Sequence, residues 1–320
     1  MNSRLRLLGL VTVVALLHAV GWGLYLSYSR HTTALAGLGT LAYTFGLRHA
    51  FDADHIAAID STTRKLLHDG KRPLGVGFFF SLGHSAIVFS LTAGVALTGG
   101  RLPGFDRAGG AIGASISGTF LLLIGLFNLF VLTDLARIWR GLRTGRHGPE
   151  ALERRLVARG MLSRVVLVRA GDRIDASWKM APLGALFGLS LDTATEIALL
   201  AVAAGVATHG TSPLAVVALP TLFAAGMCLF DTADGVAMSC AYNWAFSNPV
   251  RKHYYNMTVT GLSVAVALVI GMIELLQVTV GLRVLDLGNV GYLIVALFVA
   301  TWAVSALYWK ARRVEERWSV

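Results

Sequence analysis

The stretch "RHAFDADHIAAID", Arg48–Asp60, decides how this chain is read. It places one arginine, two histidines and three aspartates within thirteen residues. The flanks are apolar: "ALAGLGTLAYTFGL" (Ala34–Leu47) precedes it, and "FFFSLG" (Phe78–Gly83) follows a short basic break. Each ionisable group at bilayer depth costs about 2.5–3.5 kcal/mol on insertion scales, so such residues face a bundle interior, pair with one another or bind an ion. Charge at this density in a segment of membrane-spanning character therefore calls for a functional reason.

Composition supports a membrane setting. Of 320 residues, 55% are hydrophobic and only 14% charged, where a soluble chain carries about 25% charged. The mean hydropathy is +0.64. Two cysteines, Cys228 and Cys240, provide neither a disulfide framework nor a thiolate metal cluster; they read as small packing groups in or beside one apolar segment. The net charge of +10 does not indicate nucleic acid, because the basic residues gather at segment ends, where they act as topology signals.

Eight hydrophobic segments are long enough to cross a hydrocarbon core, at approximately 7–28, 35–60, 75–98, 110–135, 182–208, 213–238, 255–280 and 288–309. The sequence therefore predicts an all-α polytopic protein, a single membrane domain over 1–320. The first segment has no small-x-small cleavage site soon after its apolar run, so it reads as a retained helix and not a signal peptide. With the N-terminus inside, the inner loops hold Arg4, Arg6, Arg64, Lys65, Lys71, Arg72, Arg251, Lys252, Lys310, Arg312, Arg313 and Arg317. A connector at 137–179 adds about eleven more basic residues. Only Arg30, Arg101, Arg107 and Arg283 stay outside. This asymmetry places both termini and the connector in the cytoplasm, and it makes the lipid bilayer of the cell membrane the chain's partner. The connector reads as a solvated basic link, with one or two amphipathic helices at the inner surface as the alternative.

The in-membrane ionisable residues are not scattered. His49, Asp52 and His55 follow one another at i, i+3, i+6 and so span an arc of about 120° on a regular helix; Asp54 points away from Asp52 unless the helix is locally unwound. Discontinuous helices are a common way to build mid-membrane ion sites. Imidazole nitrogen combined with carboxylate oxygen suits Ni²⁺, Co²⁺ or Zn²⁺ better than Mg²⁺ or Ca²⁺, and the lack of thiolates disfavours Cu⁺. The bland alternative is a charge network in which the aspartates pair with Arg48 and the histidines only hydrogen-bond. In "SLGHSAIVF", His84 stands between Gly83 and Ser85, small residues that admit a neighbouring helix; it is a ligand, a supporting group or an interhelical hydrogen bond. Asp192 and Glu196 in "LSLDTATEIALL" lie at i, i+4, and Asp231 and Asp234 lie at i, i+3, each pair on one face. Neither segment holds a basic residue, so these carboxylates need protons, hydroxyl donors or a cation from elsewhere. His18 and Glu274 stand alone. "AYNWAF" and "SNPVRKHYY" read as an interfacial end with aromatic anchors and a turn at Asn248-Pro249.

"GLRHAFDADHIA" and "GLSLDTATEIA" share a Gly-Leu start, a mid-segment aspartate, then His or an acid, and Ile-Ala, with a one-residue gap. In the proposed topology they run in opposite directions, as an inverted repeat around a central site would.

These blocks resemble the nickel/cobalt transporter (NiCoT) family. Its His-x4-Asp-His signature corresponds to His49…Asp54-His55 inside "RHAFDADHI". "LGHSAIV", "LDTATEIALL" and "GMCLFDTADGVAMSCAYNWAF" match three further blocks in order. The resemblance implies a secondary permease, not an enzyme, that imports Ni²⁺ or Co²⁺ across the cytoplasmic membrane without an ATPase subunit. The metal would be cargo and not a cofactor. His49, Asp52, Asp54 and His55 would form the recognition site, with Arg48, His84, Asp192, Glu196, Asp231 and Asp234 as supporting or pathway residues. The rivals are a divalent-metal exporter and a membrane-embedded metalloenzyme. The enzyme reading is disfavoured by the absence of His-Glu-x-x-His and by too few histidines for a di-iron site.

Overall fold

A computed structural model describes residues 3–30, 35–97, 174–189, 194–208, 211–246 and 249–280, with parts of 115–133 and 292–304. Eight helices account for most of these residues. They are α1 (Ser3–Ser29), α2 (Leu38–His49), α3 (Ala53–His68), α4 (Val76–Leu97), α5 (Met180–Phe187), α6 (Ala194–Thr208), α7 (Pro213–Phe246) and α8 (Pro249–Val280). Helical residues also occur within 117–130 and 292–301.

Four stretches are long and apolar enough to cross a membrane: Arg4–Ser29, Val76–Val95, Pro213–Asn243 and Gly261–Val280. They play different parts. The window in α1 is only 11% buried and that in α7 is 72% buried. Leu8, Val11, Leu16 and Val20 of α1 are each more than half exposed, an outer apolar surface that suits lipid and not water. Helix α7 is the hub, packed against α1, α2, α3 and α4.

Small residues allow these helices to meet at backbone distance. A Cβ on Gly46 would stand 2.0 Å from the Phe223 carbonyl oxygen, and one on Gly77 1.8 Å from that of Asp231. Gly83 and Gly184 make the same kind of approach between α4 and α5. Packing of this kind is how helices associate where no hydrophobic drive separates protein from lipid.

The segment expected at 35–60 is not one helix. α2 stops at His49, and α3 starts at Ala53 with Asp52 as an extended N-cap residue (φ −66, ψ 142). The amides of Phe51 and Asp52 turn back to the carbonyls of Arg48 and His49, at 3.0 and 2.9 Å. The expected 182–208 segment is likewise divided into α5 and α6. Ala53, where α3 starts, and Ala194, the first described residue of α6, correspond in the repeat.

α3 also runs past its expected end. It closes at His68 in a Schellman turn: Lys71 N–H bonds to the Leu66 carbonyl at 2.7 Å and Gly70 N–H to that of Leu67 at 3.0 Å. Gly70 adopts the required positive φ of 69°. Arg64 and Lys65, expected in a loop, are therefore helical and only 3% and 9% exposed. The physical reason is internal pairing: Arg64 Nη2 donates to Asp60 Oδ2 at 2.8 Å, and Lys65 Nζ donates to the Ile174 carbonyl at 3.0 Å. Of the 137–179 connector, residues 137–173 lie outside the described residues; its end docks on this corner, where Ser177 Oγ donates to the Arg72 carbonyl at 3.2 Å.

Candidate metal centre

The break between α2 and α3 brings together side chains from five helices. His49 ends α2, and His55 lies in the first turn of α3. His84 comes from the middle of α4, Glu196 from the first turn of α6 and Asp231 from α7. His49, His55, His84, Glu196 and Asp231 are each at most 2% exposed. His55 and Glu196 hold corresponding positions in the repeat, two residues past Ala53 and Ala194.

His49 Nε2 lies 3.0 Å from His84 Nε2. Glu196 Oε1 lies 2.7 Å from His84 Nε2 and 3.6 Å from His49 Nε2. His55 completes a set of three imidazoles whose candidate ligand atoms all fall within 4.8 Å of one another. Its ring centroid is 4.6 Å from that of His49 and 4.8 Å from that of His84. First-row divalent cations take imidazole nitrogen at about 2.0–2.1 Å, so two ligands at right angles stand about 2.9 Å apart. The spacing of His49, His84 and Glu196 is thus that of neighbouring ligands on one ion.

The rear atoms of two rings are held. Asp52 Oδ2 lies 2.7 Å from His49 Nδ1, a charge contact not aligned as a hydrogen bond, and Thr195 Oγ1 is 3.2 Å from the same nitrogen. Asp231 Oδ2 is 3.3 Å from His55 Nδ1. Carboxylates behind the distal nitrogen fix ring orientation and tautomer in metal sites, leaving Nε2 to bind. His55 Nε2, His84 Nδ1 and Asp231 Oδ1 are buried with no hydrogen-bond partner. Such atoms are few in native interiors, and an ion or water commonly explains them.

The other expected residues are placed as follows. Asp54 is half-buried in the first turn of α3 and accepts the His55 N–H at 2.9 Å, a favourable place for a negative charge. Arg48 is half-buried beside His49. Asp234 is half-buried on α7, with Oδ2 buried and unpartnered. Asp192 lies outside the described residues. The structure adds Thr195, Asp60 and Tyr242 as polar groups with a place in the interior. Tyr242, expected at an interfacial belt, is instead 5% exposed, with its hydroxyl donating to Asp60 Oδ1. The Asp60–Arg64 spacing of i, i+4 was the signal available for that network. His18 and Glu274 have local partners: His18 Nε2 meets the Tyr43 hydroxyl at 3.1 Å, and Ser117 donates to Glu274.

Membrane-length helices around a broken helix, with three imidazoles and a carboxylate converging in the interior, define a helical membrane protein whose buried cluster fits a divalent cation. Comparison with known proteins gives the class a family. The chain belongs to the high-affinity nickel-transport protein family NicO, which it matches over residues 35–308. It is 47% identical over 333 residues to the nickel transporter NixA of Staphylococcus aureus, covering 99% of this chain and 98% of that protein. It is 50% identical over 340 residues to the nickel transporter NicT of Mycobacterium tuberculosis, covering 98% and 91%. The cobalt transport protein NhlF of Rhodococcus rhodochrous is 41% identical over 327 residues, covering 96% and 93%. No solved structure matches the chain.

Proposed function

We propose that this chain is a secondary permease that imports Ni²⁺ or Co²⁺ across the cytoplasmic membrane, with no ATPase subunit. The observation that carries the reading is the convergence of His49 Nε2, His84 Nε2 and Glu196 Oε1 within 3.6 Å, buried at a helix break. The relatives' nickel and cobalt specificities agree with that donor set, since imidazole selects late first-row divalent ions. The basic residues that remain in the loops and at the termini support an arrangement of eight spans with both termini cytoplasmic.

In this reading His49, His55, His84 and Glu196 ligate the ion. Asp52 and Asp231 stand behind His49 and His55 and keep their Nε2 atoms turned inward. A hydrated cation arriving at the break exchanges water for nitrogen and carboxylate oxygen. Burial of its double charge is offset by Glu196, Asp52 and Asp231, and their burial is offset by the ion. The half-helices α2–α3 and α5–α6, whose corresponding positions supply His55 and Glu196, are the elements that rock to open the site to either side.

The test is radiolabelled Ni²⁺ and Co²⁺ uptake into vesicles containing the purified chain. Accumulation that disappears with His49→Ala at equal protein content supports the reading. Accumulation unchanged by that substitution defeats it. Cells made more tolerant of nickel by the chain, instead of more sensitive, assign the direction to export.

A further inference from the structure

Beyond the histidine cluster, α3 carries a second buried polar group. Asp60, Ser61, Thr62, Thr63, Arg64 and Lys65 form an unbroken run in which no residue is more than 9% exposed. Six consecutive residues cover every side of a helix, so this turn is polar all round and yet enclosed. Polar residues buried in a membrane helix pair with one another or with backbone carbonyls, or line an ion path or an aqueous cavity.

The pairing inside this group is lopsided. Asp60 is satisfied: Oδ1 accepts the Tyr242 hydroxyl and Oδ2 accepts Arg64 Nη2 at 2.8 Å. Arg64 is not: its Nε and Nη1 are buried without a partner. A guanidinium bears five donors, and the strong arrangement with a carboxylate is a two-bond fork. One hydrogen bond holds Arg64 here, with the Tyr242 ring 5.7 Å from its Cζ. On α7, which faces α3, Asp234 Oδ2 is also buried and unpartnered. Asp234 lies one turn beyond Asp231, and the next residue, Gly235, abuts Ile59 on α3 (a Cβ there would be 3.6 Å from Ile59 Cγ2).

We propose that Asp60 and Asp234 form a second divalent-cation station between α3 and α7, and that Arg64 is its tethered counter-ion, resting on Asp60 when no metal is there. The inference rests on the transport reading above. The two stations differ in chemistry. The cluster offers mostly imidazole nitrogen; the station offers only carboxylate and hydroxyl oxygen, which holds Ni²⁺ more loosely. An ion leaving a tight site needs such a weaker site in order to move on. As the ion arrives, its double charge displaces the single charge of Arg64, whose one hydrogen bond is easily given up. After the ion departs, Arg64 returns and prevents Asp60 from being left as a buried, uncompensated charge.

The experiment is equilibrium dialysis of the full-length protein in detergent against Ni²⁺ alone, counting ions per chain. The wild type is expected to bind one ion tightly, with any second at least tenfold weaker. Arg64→Gln vacates Asp60 and is expected to bind two. Arg64→Gln with Asp60→Asn returns to one, and Arg64→Gln with His49→Ala keeps the looser one. A single ion in folded Arg64→Gln overturns the station. No ion in the wild type refutes the histidine site itself, a different failure. Should Arg64→Gln not fold, the charge-neutral pair Asp60→Asn/Arg64→Gln decides. It is expected to bind one Ni²⁺ with unchanged affinity while vesicle uptake falls at least tenfold; uptake at the wild-type rate overturns the proposal.

Discussion

His49 Nε2 and His84 Nε2 stand 3.0 Å apart in the buried interior, one at the end of α2 and the other in mid-α4. Two imidazole nitrogens in such contact either share one proton or both turn a lone pair to a cation. Glu196 Oε1, 2.7 Å from His84 Nε2, accepts one shared proton but leaves the other lone pair facing inward. A divalent ion serves all three atoms at once. If so, His84 is a ligand on the same footing as His49. His84→Ala is expected to weaken Ni²⁺ binding by at least about 100-fold, beyond the range for a supporting residue. Titration calorimetry on the purified protein checks this; a loss below tenfold makes His84 a packing residue.

In the proposed site Asp231 acts through His55, whose Nδ1 lies 3.3 Å from Asp231 Oδ2. Asp231→Asn is expected to lower Ni²⁺ affinity by about 10–100-fold, the range for a carboxylate behind a ligating histidine. In the His55→Ala background the same change is expected to cost little, because the ring that it orients is gone. Binding measured across the four proteins gives the coupling between the two residues. Additive losses contradict the assignment.

The close helix contacts make a prediction about stability. Gly77→Ala puts a methyl group 1.8 Å from the Asp231 carbonyl oxygen, so α4 and α7 must part. Overpacking of this kind costs about 1–3 kcal/mol, and a lower Tm in detergent is the expected readout. Gly23→Ala is the control: a Cβ there meets nothing within 4 Å, so its Tm is expected to stay level or rise slightly.

Metal affinity is expected to fall as pH falls, because every ligand must shed its proton before it binds. The sign follows from competition: protons and Ni²⁺ share the same imidazole nitrogens, so acid favours release. The apparent Kd measured in steps from alkaline to acidic buffer checks this. An affinity that rises in acid contradicts an imidazole site.

The parts of the site written as local patterns were legible in the sequence. His49 and His55 declared themselves because two histidines and two aspartates stand within seven apolar-flanked positions. The division of labour was not legible. Spacing on a regular helix groups Asp52 with His49 and His55 as equals, but the chain unwinds between His49 and Ala53 and brings Asp52 to the rear of the His49 ring. His84 and Glu196 reach the cluster only through contacts over 35 and 112 residues of chain, which one sequence does not encode locally. Arg64 misled for a related reason. A basic residue after an apolar run reads as a loop charge, and only the tertiary contact among Asp60, Arg64 and Tyr242 shows it to be interior.

The central claim is that the imidazoles of this cluster bind the transported ion directly. X-ray absorption at the nickel edge, on the full-length protein loaded with one Ni²⁺ per chain, tests it most directly. The account predicts three imidazole nitrogens with carboxylate oxygen at about 2.0–2.1 Å, and loss of most of the imidazole scattering in His49→Ala/His84→Ala. A shell of oxygen alone in the wild-type protein would contradict it.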